Sequence, residues 1–418
     1  MSATTRIFKR IDGYREAVVD LQRELTSRIA LGPKNEGSGE HDKADYLMDQ
    51  LAALKPDHLE MIKAPDQQAH GGYRPNIVAR WDGELSGPMV WVLAHLDIVP
   101  PGDRSLWDGD PYEVRVEGDR IIGRGVEDNQ HGIVSGYLGM KAILDAGLRP
   151  RRSVGLAFVA DEETGSQYGL DYLLKEHGNL FKKDSLIIVP DGGNEEGTMI
   201  EVAEKSMLWI KVTVTGQQCH ASTPNKGKNS LHGAARLIVA LESLKERFNG
   251  EDTLFRPPQS TFEPTKIEAN VPNINTIPGR DVFYVDCRIL PSYPVESVVA
   301  FVKKKAEAVA AELDLDIQIE PQYRQDSRNP TSPEAAVVQA LKGAIKKVTG
   351  LDASPMGIGG GTVAAFFREA GFPVAVWLTE QDTPHQPNEY CLISNIMTDA
   401  KVFATLFLKE EGGPSPTK

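Results

Sequence analysis

The chain has 418 residues, a length that suits two domains better than one. Hydrophobic residues make up 40% of it and charged residues 25%, as in globular proteins, and no stretch approaches the ~20 apolar residues that a membrane-spanning helix needs. The formal net charge of −13, without any basic block, argues against nucleic acid and anionic membranes as partners.

The first residues, MSATTRIFKRIDGYREAV, contain no apolar segment of the signal-peptide kind. The three cysteines, Cys219, Cys287 and Cys391, are odd in number and far apart, which is untypical of a disulfide framework or of a zinc cluster. We therefore expect a cytoplasmic protein with free thiols.

Apolar spacing predicts helices over residues 11–30 and 41–54, and then a strand at 90–99, VWVLAHLDIV, which ends at a Pro-Pro-Gly turn. A helix at 131–147, the strand VGLAFVA, the helix GLDYLLKEHG and the strand SLIIVPDGG follow. Strands that alternate with helices indicate an α/β fold with a mainly parallel sheet flanked by helices on both faces.

The pattern changes near residue 207, where MLWIKVTVTG alternates with period two as a half-exposed strand does. Two helices and the strands DVFYVDCRI and LDIQIEP complete a small α+β unit, and from about residue 324 the α/β pattern returns. We expect a catalytic domain made of residues 1–206 and 324–418, with an α+β unit inserted at 207–323. The Gly/Pro/Ser-rich tail at 411–418 is expected to be disordered.

The segment FVADEETGS places three adjacent carboxylates, Asp161, Glu162 and Glu163, directly after a buried strand. Such a run is commonly a solvated loop. In α/β sheets, however, functional groups gather at the carboxyl ends of the strands. Other side chains of the kinds that bind metals stand at strand ends or a helix start: His95, Asp97, Asp128, Asp191 and His385. Together, these imidazoles and carboxylates predict a site for a divalent metal, with zinc as the leading candidate.

At this point the sequence resembles the dinuclear zinc hydrolases that include acetylornithine deacetylase, succinyl-diaminopimelate desuccinylase, aminoacylase, carnosinase-type dipeptidases and glutamate carboxypeptidase. The resemblance rests on stretches in the family's order over most of the chain: LAHLDIVPPG, GRGVEDNQHG, FVADEETGS, VPDGG, GQQCHASTP, NTIPG with DCRI, GIGGGT and HQPNE. It implies a zinc-peptidase-like fold with an inserted lid and dimerisation domain.

The resemblance also implies two metal ions per subunit, Zn²⁺ first, with Co²⁺ or Mn²⁺ as alternatives. His95 and Asp191 would hold one ion, Glu163 and His385 the other, and Asp128 would bridge both. In family members the position of Asp191 is Asp or Glu, and Asp tends to accompany aminopeptidase- and dipeptidase-like members.

Two acids near these ligands receive other roles from the resemblance. Asp97 would orient the imidazole of His95. Glu162 would be the general base, which takes a proton from the attacking water and passes it to the leaving nitrogen. Asp161 is left over, and we interpret it as a structural or supporting acid.

The resemblance places further roles in the inserted unit and near the glycine-rich loop. His220 would stabilise the oxyanion, commonly in the site of a partner subunit. A substrate carboxylate would be bound by Arg288, Asn275, Gly360, Gly361 and Thr362. From the residues alone, Arg288 is equally an ordinary strand residue paired with Asp286, and GIGGGT an ordinary loop.

These expectations give a homodimeric hydrolase that cleaves an amide bond in a small carboxylate-bearing substrate, foremost an N-acyl-amino acid. A di- or tripeptidase or a carboxypeptidase is the alternative within the family. The alternative of another class is a binding or scaffold protein that has kept the fold without catalysis; the complete set of ligands and the base argues against it.

Overall fold

The computed structural model describes residues 2–408, so the predicted tail at 411–418 lies outside the described residues. Contacts divide the chain into two compact units. Unit 1 comprises the described residues up to Val202, Thr331–Pro355, and those from Thr362 onward. Unit 2 comprises Ala203–Pro330 and Met356–Gly361, so it includes most of the glycine-rich loop.

Helices and strands alternate through much of residues 2–408. The helices are α1 (Ala3–Asp12), α2 (Arg15–Ser27), α3 (His41–Ala53), α4 (Gln130–Asp145), α5 (Leu170–Glu176), α6 (Ser230–Leu241), α7 (Ser243–Arg247), α8 (Val295–Leu313), α9 (Ala336–Thr349), α10 (Ala364–Glu369) and α11 (Ile393–Leu408). The strands are β1 (His58–Pro65), β2 (Tyr73–Trp81), β3 (Val90–His95), β4 (Arg115–Glu117), β5 (Arg120–Ile122), β6 (Val154–Val159), β7 (Leu186–Asn194), β8 (Met199–Glu204), β9 (Ser206–Thr215), β10 (Cys219–His220), β11 (Thr261–Ile267), β12 (Thr276–Ile277), β13 (Arg280–Ile289), β14 (Asp316–Gln325), β15 (Ser354–Ile358), β16 (Val374–Thr379) and β17 (Tyr390–Leu392).

Unit 1 is built on an eight-stranded sheet in the order β1-β2-β6-β3-β7-β16-β8-β15. Its central strands β6, β3, β7 and β16 are mutually parallel, which confirms the predicted fold class. These strands are continuous apolar runs such as VGLAFV, and β3 and β6 are buried along their whole length. Such runs are typical of parallel strands that are covered on both faces.

Helices cover both faces of this sheet. Val92 and Leu156 lie beside Gly136 of α4, whereas the alternate residues Leu93 and Ala157 belong to a core that includes residues of α5 and α10. Because successive side chains of a strand point to opposite faces, α4 lies on one face and the α5/α10 pair on the other. This arrangement leaves the carboxyl ends of the parallel strands as the edge where loops can gather functional groups.

Unit 2 contains a four-stranded antiparallel sheet in the order β11-β13-β9-β14. Its core joins alternate residues of β9 and β13, among them Val285, Cys287 and Ile289, to the apolar faces of α6 and α8. Asp286 and Arg288 lie on the opposite face and are half-buried, as the alternation predicts. The short strands β10 and β12 form a separate ladder that pairs His220 with Thr276.

The structure differs from the sequence predictions at the N-terminal end. The predicted helix at 11–30 is two helices, because α1 ends at Asp12 and α2 begins at Arg15 after Gly13. Strands β1 and β2 were not predicted at all. Among residues 2–408, no helix combines the length and hydrophobicity that crossing a membrane requires.

Candidate metal centre

The predicted ligands come from strand ends and neighbouring loops of unit 1. His95 is the last residue of β3, Asp191 lies in the second half of β7, and Glu163 is in the single 3-10 turn that follows β6. Asp128 precedes α4 by two residues, and His385 stands in the loop after β16, with a positive φ of 63°. Four parallel-sheet connections therefore deliver these side chains to one edge.

Asp128 is the central member of the group. Its Oδ1 lies 2.8 Å from Nε2 of His95, and its Oδ2 lies 3.0 Å from Nε2 of His385. His95 Nε2 is also 3.5 Å from Asp191 Oδ1, and His385 Nε2 is 3.3 Å from Glu163 Oε1. One carboxylate thus lies between two imidazoles, each of which has a second carboxylate beside it.

Two sets of three ligand atoms lie within 4.8 Å of one another: His95 with Glu162 and Asp191, and His95 with Asp128 and Glu163. Glu162 therefore belongs to the same cluster as the predicted ligands. At these distances Glu162 can serve either as a ligand or in proton transfer.

Asp97 anchors the turn that carries Glu162 and Glu163. Its Oδ1 accepts the N–H of Glu162 at 3.0 Å, and its Oδ2 accepts the N–H of Glu163 at 3.1 Å. His95 Nδ1 lies 3.0 Å from the main-chain carbonyl of Asp97 and 3.5 Å from its carboxylate. The Asp97 residue thus contacts the imidazole mainly through its backbone, while its carboxylate holds the neighbouring turn.

Asp161 has a different environment from the two acids beside it. It is completely buried, with a positive φ of 63°, and lies 3.4 Å from the guanidinium of Arg74. Its carboxylate also accepts the Tyr168 N–H at 3.1 Å and the Thr164 hydroxyl. Arg74 forms a second buried ion pair with Glu40. Asp161 is therefore a structural acid within a buried arginine–carboxylate cluster.

Burial and mutual repulsion raise the pKa values of three carboxylates at the centre. Burial and then Asp191 raise the pKa of Glu162 well above its ordinary value, and burial and then Asp128 raise the pKa of Glu163 to about 7. Burial is also the main reason that the pKa of Asp191 is raised.

The pKa values of the two imidazoles are raised as well, which favours their charged form. Hydrogen bonds that His385 donates to the carboxylates of Asp128 and Glu163 raise the pKa of its imidazole to about 10. Burial opposes protonation of His95, but Asp191 and Asp128 raise its pKa well above the usual range. Burial would raise the pKa of Asp128 too, yet its bonds from His385 and His95 hold it below the ordinary value.

The donor set fits divalent cations. Imidazole nitrogens and carboxylate oxygens are the groups that borderline ions such as Zn²⁺ accept, and here the carboxylates outnumber the imidazoles by four to two: Asp128, Glu162, Glu163 and Asp191 against His95 and His385. Bound cations would stabilise the ionised carboxylates and so reverse the raised pKa values of the acids.

Sequence reasoning missed several acids around this centre. Glu380 follows β16, and burial, together with Glu127, Asp128 and Asp191, raises its pKa to about 8. The strand-end signal that identified Asp191 would have found Glu380 as well. Glu127 contacts His131 at 3.0 Å, and His131 lies 3.1 Å from Asp399 of α11. Glu127 and His131 are four residues apart, but Asp399 is distant in the chain, so no local pattern predicts its contact with His131.

The residues predicted in unit 2 fall into two groups. His220 and Asn275 lie together at the β10–β12 ladder, where the carbonyl of Asn275 accepts the N–H of Ala221 at 2.9 Å. Arg288 lies elsewhere, on β13, and its Nη1 donates to the carbonyl of Gly359 at 2.8 Å. Arg288 is thus beside the glycine-rich loop that holds Gly360 and Gly361.

Arg288 is already engaged by an acid of its own strand. Its Nε and Nη2 donate to the two carboxylate oxygens of Asp286 at 2.8 and 3.1 Å. Thr362, by contrast, belongs to unit 1, is almost fully buried, and accepts the N–H of Ala364 at 3.1 Å through its hydroxyl.

Comparison with known proteins decides the family. Peptidase family M20/M25/M40 matches residues 91–409, more than half of the chain. The chain belongs to this family. As an M20 family member, it is a metal-dependent hydrolase, in agreement with its cluster of imidazole and carboxylate ligands.

Individual relatives span nearly the whole chain. An uncharacterized metallohydrolase of Methanocaldococcus jannaschii is 40% identical over 402 residues, which covers 93% of this chain and 98% of that protein. A succinyl-diaminopimelate desuccinylase of Nitratiruptor is 27% identical over 374 residues, covering 89% and 94%. The di-peptidase Dug1p of Saccharomyces cerevisiae has a similar fold, with a TM-score of 0.76 at 18% identity, covering 97% of this chain and 98% of that one.

Proposed function

We propose that this M20 family hydrolase uses two zinc ions to cleave an amide bond in a small substrate with a free carboxylate, foremost an N-acyl-amino acid. The observation that carries the proposal is the position of Asp128, with one carboxylate oxygen 2.8 Å from His95 and the other 3.0 Å from His385. A carboxylate whose two oxygens each lie beside a different imidazole is suited to bridge two ions.

In this proposal, His95 and Asp191 would hold one ion, and Glu163 and His385 would hold the other. The ions, when bound, would polarise the scissile carbonyl and acidify water. Asn129 supports the arrangement, because its Nδ2 donates to Asp191 Oδ1 at 2.7 Å and so fixes the orientation of that carboxylate beside His95.

Glu162 is assigned the proton transfers. Its backbone N–H is fixed by Asp97, so its side chain starts from a defined position next to His95 and Asp191. As the water oxygen attacks the carbonyl carbon, Glu162 takes the proton, and it then delivers that proton to the nitrogen as the carbon–nitrogen bond breaks.

His220 is assigned the stabilisation of the oxyanion, supplied by the partner subunit of a homodimer that forms through the lid-like unit 2. Its tautomer supports this role. The N–H of Ser222 donates to His220 Nδ1 at 3.1 Å, so Nδ1 acts as an acceptor and a neutral imidazole carries its proton on Nε2. The exposed Nε2–H is then available to donate to an oxygen that gains negative charge.

A substrate carboxylate is assigned to Arg288, Asn275, Gly360, Gly361 and Thr362. The support is the contact between Arg288 and Gly359, which places one side chain of this set against the glycine-rich loop. Because Asp286, Gly359 and Met207 all accept from the guanidinium, a substrate carboxylate would displace one of these partners to be held by two N–H groups.

A di- or tripeptide is the second candidate substrate. A cavity of about 330 Å³ just beyond Asp191 is lined by Gly193–Glu196 and by Glu380, Gln381 and Asp382. Four of these side chains are acids, so the cavity favours a cationic group such as the free ammonium of a peptide. The aspartate at position 191 also favours a peptide substrate, because in the family it tends to accompany aminopeptidase- and dipeptidase-like members.

The three free cysteines fit a cytoplasmic location.

The proposal is tested by two measurements on protein purified without chelator. Metal analysis should give about two zinc ions per chain, and Asp128→Asn should lose both. A substrate screen should then compare N-acetyl-, N-succinyl- and N-formyl-amino acids with dipeptides and tripeptides. Zinc-dependent cleavage of a peptide but of no N-acyl-amino acid would replace the first candidate with the second, and metal-free protein with full activity would overturn the proposal.

A further inference from the structure

The last residue of the HQPNE stretch, Glu389, has no role in the proposed reaction, although it stands only four residues after His385. Its carboxylate is completely buried. One oxygen accepts Arg124 Nη1 at 2.5 Å and the Gly125 N–H at 3.1 Å. The other accepts the N–H groups of Glu127 and Asp128 at 3.0 and 3.1 Å.

All four donors come from one short segment, residues 124–128, which ends on Asp128. Hydrogen bonds to a carboxylate are roughly twice as strong as neutral ones, and three of these fix main-chain N–H groups. The carboxylate therefore determines the path of the backbone that delivers Asp128. Arg124, itself buried, supplies the positive charge that makes a buried carboxylate tolerable there.

The same residue is tied to the loop of His385. The carbonyl of Glu389 accepts the N–H of Gly123 at 3.0 Å, and the next residue begins β17, which pairs with β5 through Tyr390 and Ile122. The loop that presents His385 and the segment that presents Asp128 are thus joined side by side. This junction brings Asp128 Oδ2 to within 3.0 Å of His385 Nε2.

We propose that Glu389 is a positioning residue that holds the Asp128 segment against the His385 loop and thereby sets the affinity of the metal centre. The inference rests on the proposed metal site and goes beyond it, because Glu389 is neither one of the proposed ligands nor one of the proposed substrate contacts. Its carboxylate has all its acceptor positions directed at the 124–128 segment. Glu389 affects the metal centre only through the position in which it holds Asp128.

The test compares Glu389→Gln with wild type by competition for Zn²⁺ against a chromophoric chelator. The amide keeps the size of the carboxylate but turns one acceptor into a donor, which would face main-chain N–H groups. Loss of a group that supports a ligand typically lowers metal affinity 10–100-fold. We expect a fall of that size, with kcat at saturating zinc within about threefold of wild type and KM unchanged, because Glu162 and the substrate contacts are untouched.

Glu201→Gln is the matched control. Glu201 is equally buried and forms an ion pair with Arg368 at 2.9 Å, but it lies on β8, away from the proposed ligands. It should lose stability without losing zinc affinity. Glu389→Asp, which keeps the charge and both acceptors, is the second variant. It should fold and bind zinc with an affinity between those of Glu389→Gln and wild type.

Each outcome of these measurements either supports or overturns the positioning role of Glu389. Unchanged zinc affinity in Glu389→Gln, or an equal fall in Glu201→Gln, would overturn the positioning role. Should Glu389→Gln fail to fold, wild-type zinc affinity in Glu389→Asp would overturn it, whereas a reduced affinity in that folded variant would support it. Zinc binding that is absent from wild type, or is unaffected by Asp128→Asn, would overturn the metal centre itself and this inference with it.

Discussion

Replacement of Glu162 by Gln separates the two roles that its position permits. Glu162 lies in one cluster with His95 and Asp191, so it is close enough to be a ligand, yet we assign it the proton transfers. The amide has almost the same shape as the carboxylate but cannot accept a proton from water. We therefore expect both metal ions to be retained and turnover to fall.

The size of the fall follows from general-base catalysis, which contributes ~10²–10⁴-fold. A loss of at least ~10² in kcat corresponds to about 2.7 kcal/mol of activation free energy. The stability of the metal-free protein, in contrast to its turnover, should not fall. Burial and the neighbouring Asp191 raise the pKa of Glu162, so a neutral amide relieves repulsion in the metal-free protein. Metal-free Glu162→Gln should unfold at the same temperature as metal-free wild type, or at a higher one.

The assay is metal content after gel filtration, together with kcat for the best substrate of the screen. Glu163→Gln serves as the matched control, since it is the adjacent residue on the same turn and is assigned to a metal. It should lose zinc as well as activity. Loss of zinc from Glu162→Gln, to the same extent as from Glu163→Gln, would make Glu162 a ligand and refute our assignment.

Three further predictions use other parts of the chain. Arg288→Lys should lower kcat/KM for a carboxylate substrate but leave the slow reaction of its carboxamide unchanged, because lysine cannot reproduce a forked contact; equal damage to both substrates would return Arg288 to a purely structural pair. Mixing inactive His220→Ala with inactive Glu162→Gln chains should restore activity through one intact site per mixed dimer, and no recovery after verified subunit exchange would exclude a partner's His220. Burial would lower the pKa of His131, but its two carboxylate partners raise it to about 9, above its unfolded value near 6.5. Its contribution to the free energy of unfolding, at most about 3 to 4 kcal/mol, should thus be complete below pH 6.5 and vanish by about pH 9. The variant His131→Gln should flatten denaturation-derived stability over that window, and parallel profiles for the two proteins would contradict the prediction.

The strands that sequence predicted and those it missed differ in what their side chains contact. β3 and β6 are apolar throughout, so their pattern is visible locally. β2, YRPNIVARW, begins with residues typical of loops. Asn76 is tolerated in this strand because its side chain donates to the carbonyl of Tyr168 at 2.8 Å and accepts the N–H of Ala160 at 3.1 Å. Such partners lie some 84–92 residues away along the chain and leave no local signal.

The residues of the candidate site likewise fall into those that the sequence predicted and those that it missed. Residue type and strand-end position were enough to name the candidate ligands, because metal binding demands particular side chains at particular edges. Supporting roles are invisible in that pattern. That the carboxylate of Asp97 accepts the Glu162 and Glu163 amides, or that Glu389 accepts donors more than 260 residues earlier, depends on tertiary geometry alone.

The three adjacent acids after β6 are compensated in different ways, and the difference predicts how the protein behaves without metal. Asp161 is paired with Arg74, which is part of the protein, whereas in our proposal bound cations compensate the charges of Glu162 and Glu163. The backbone of their turn is nevertheless held by Asp97. Removal of metal should therefore leave a cooperatively folded chain with an unchanged near-ultraviolet circular dichroism spectrum.

Its thermal stability should fall, since a ligand present at 1,000 times its Kd stabilises the native state by about 4 kcal/mol, and zinc should restore it. The measurement is calorimetry of chelator-treated protein before and after zinc addition. A metal-free chain that has lost its near-ultraviolet signal would mean that the ions, rather than Arg74 and Asp97, hold the turn in place. In that case the site would be built by its metals instead of being preorganised to receive them.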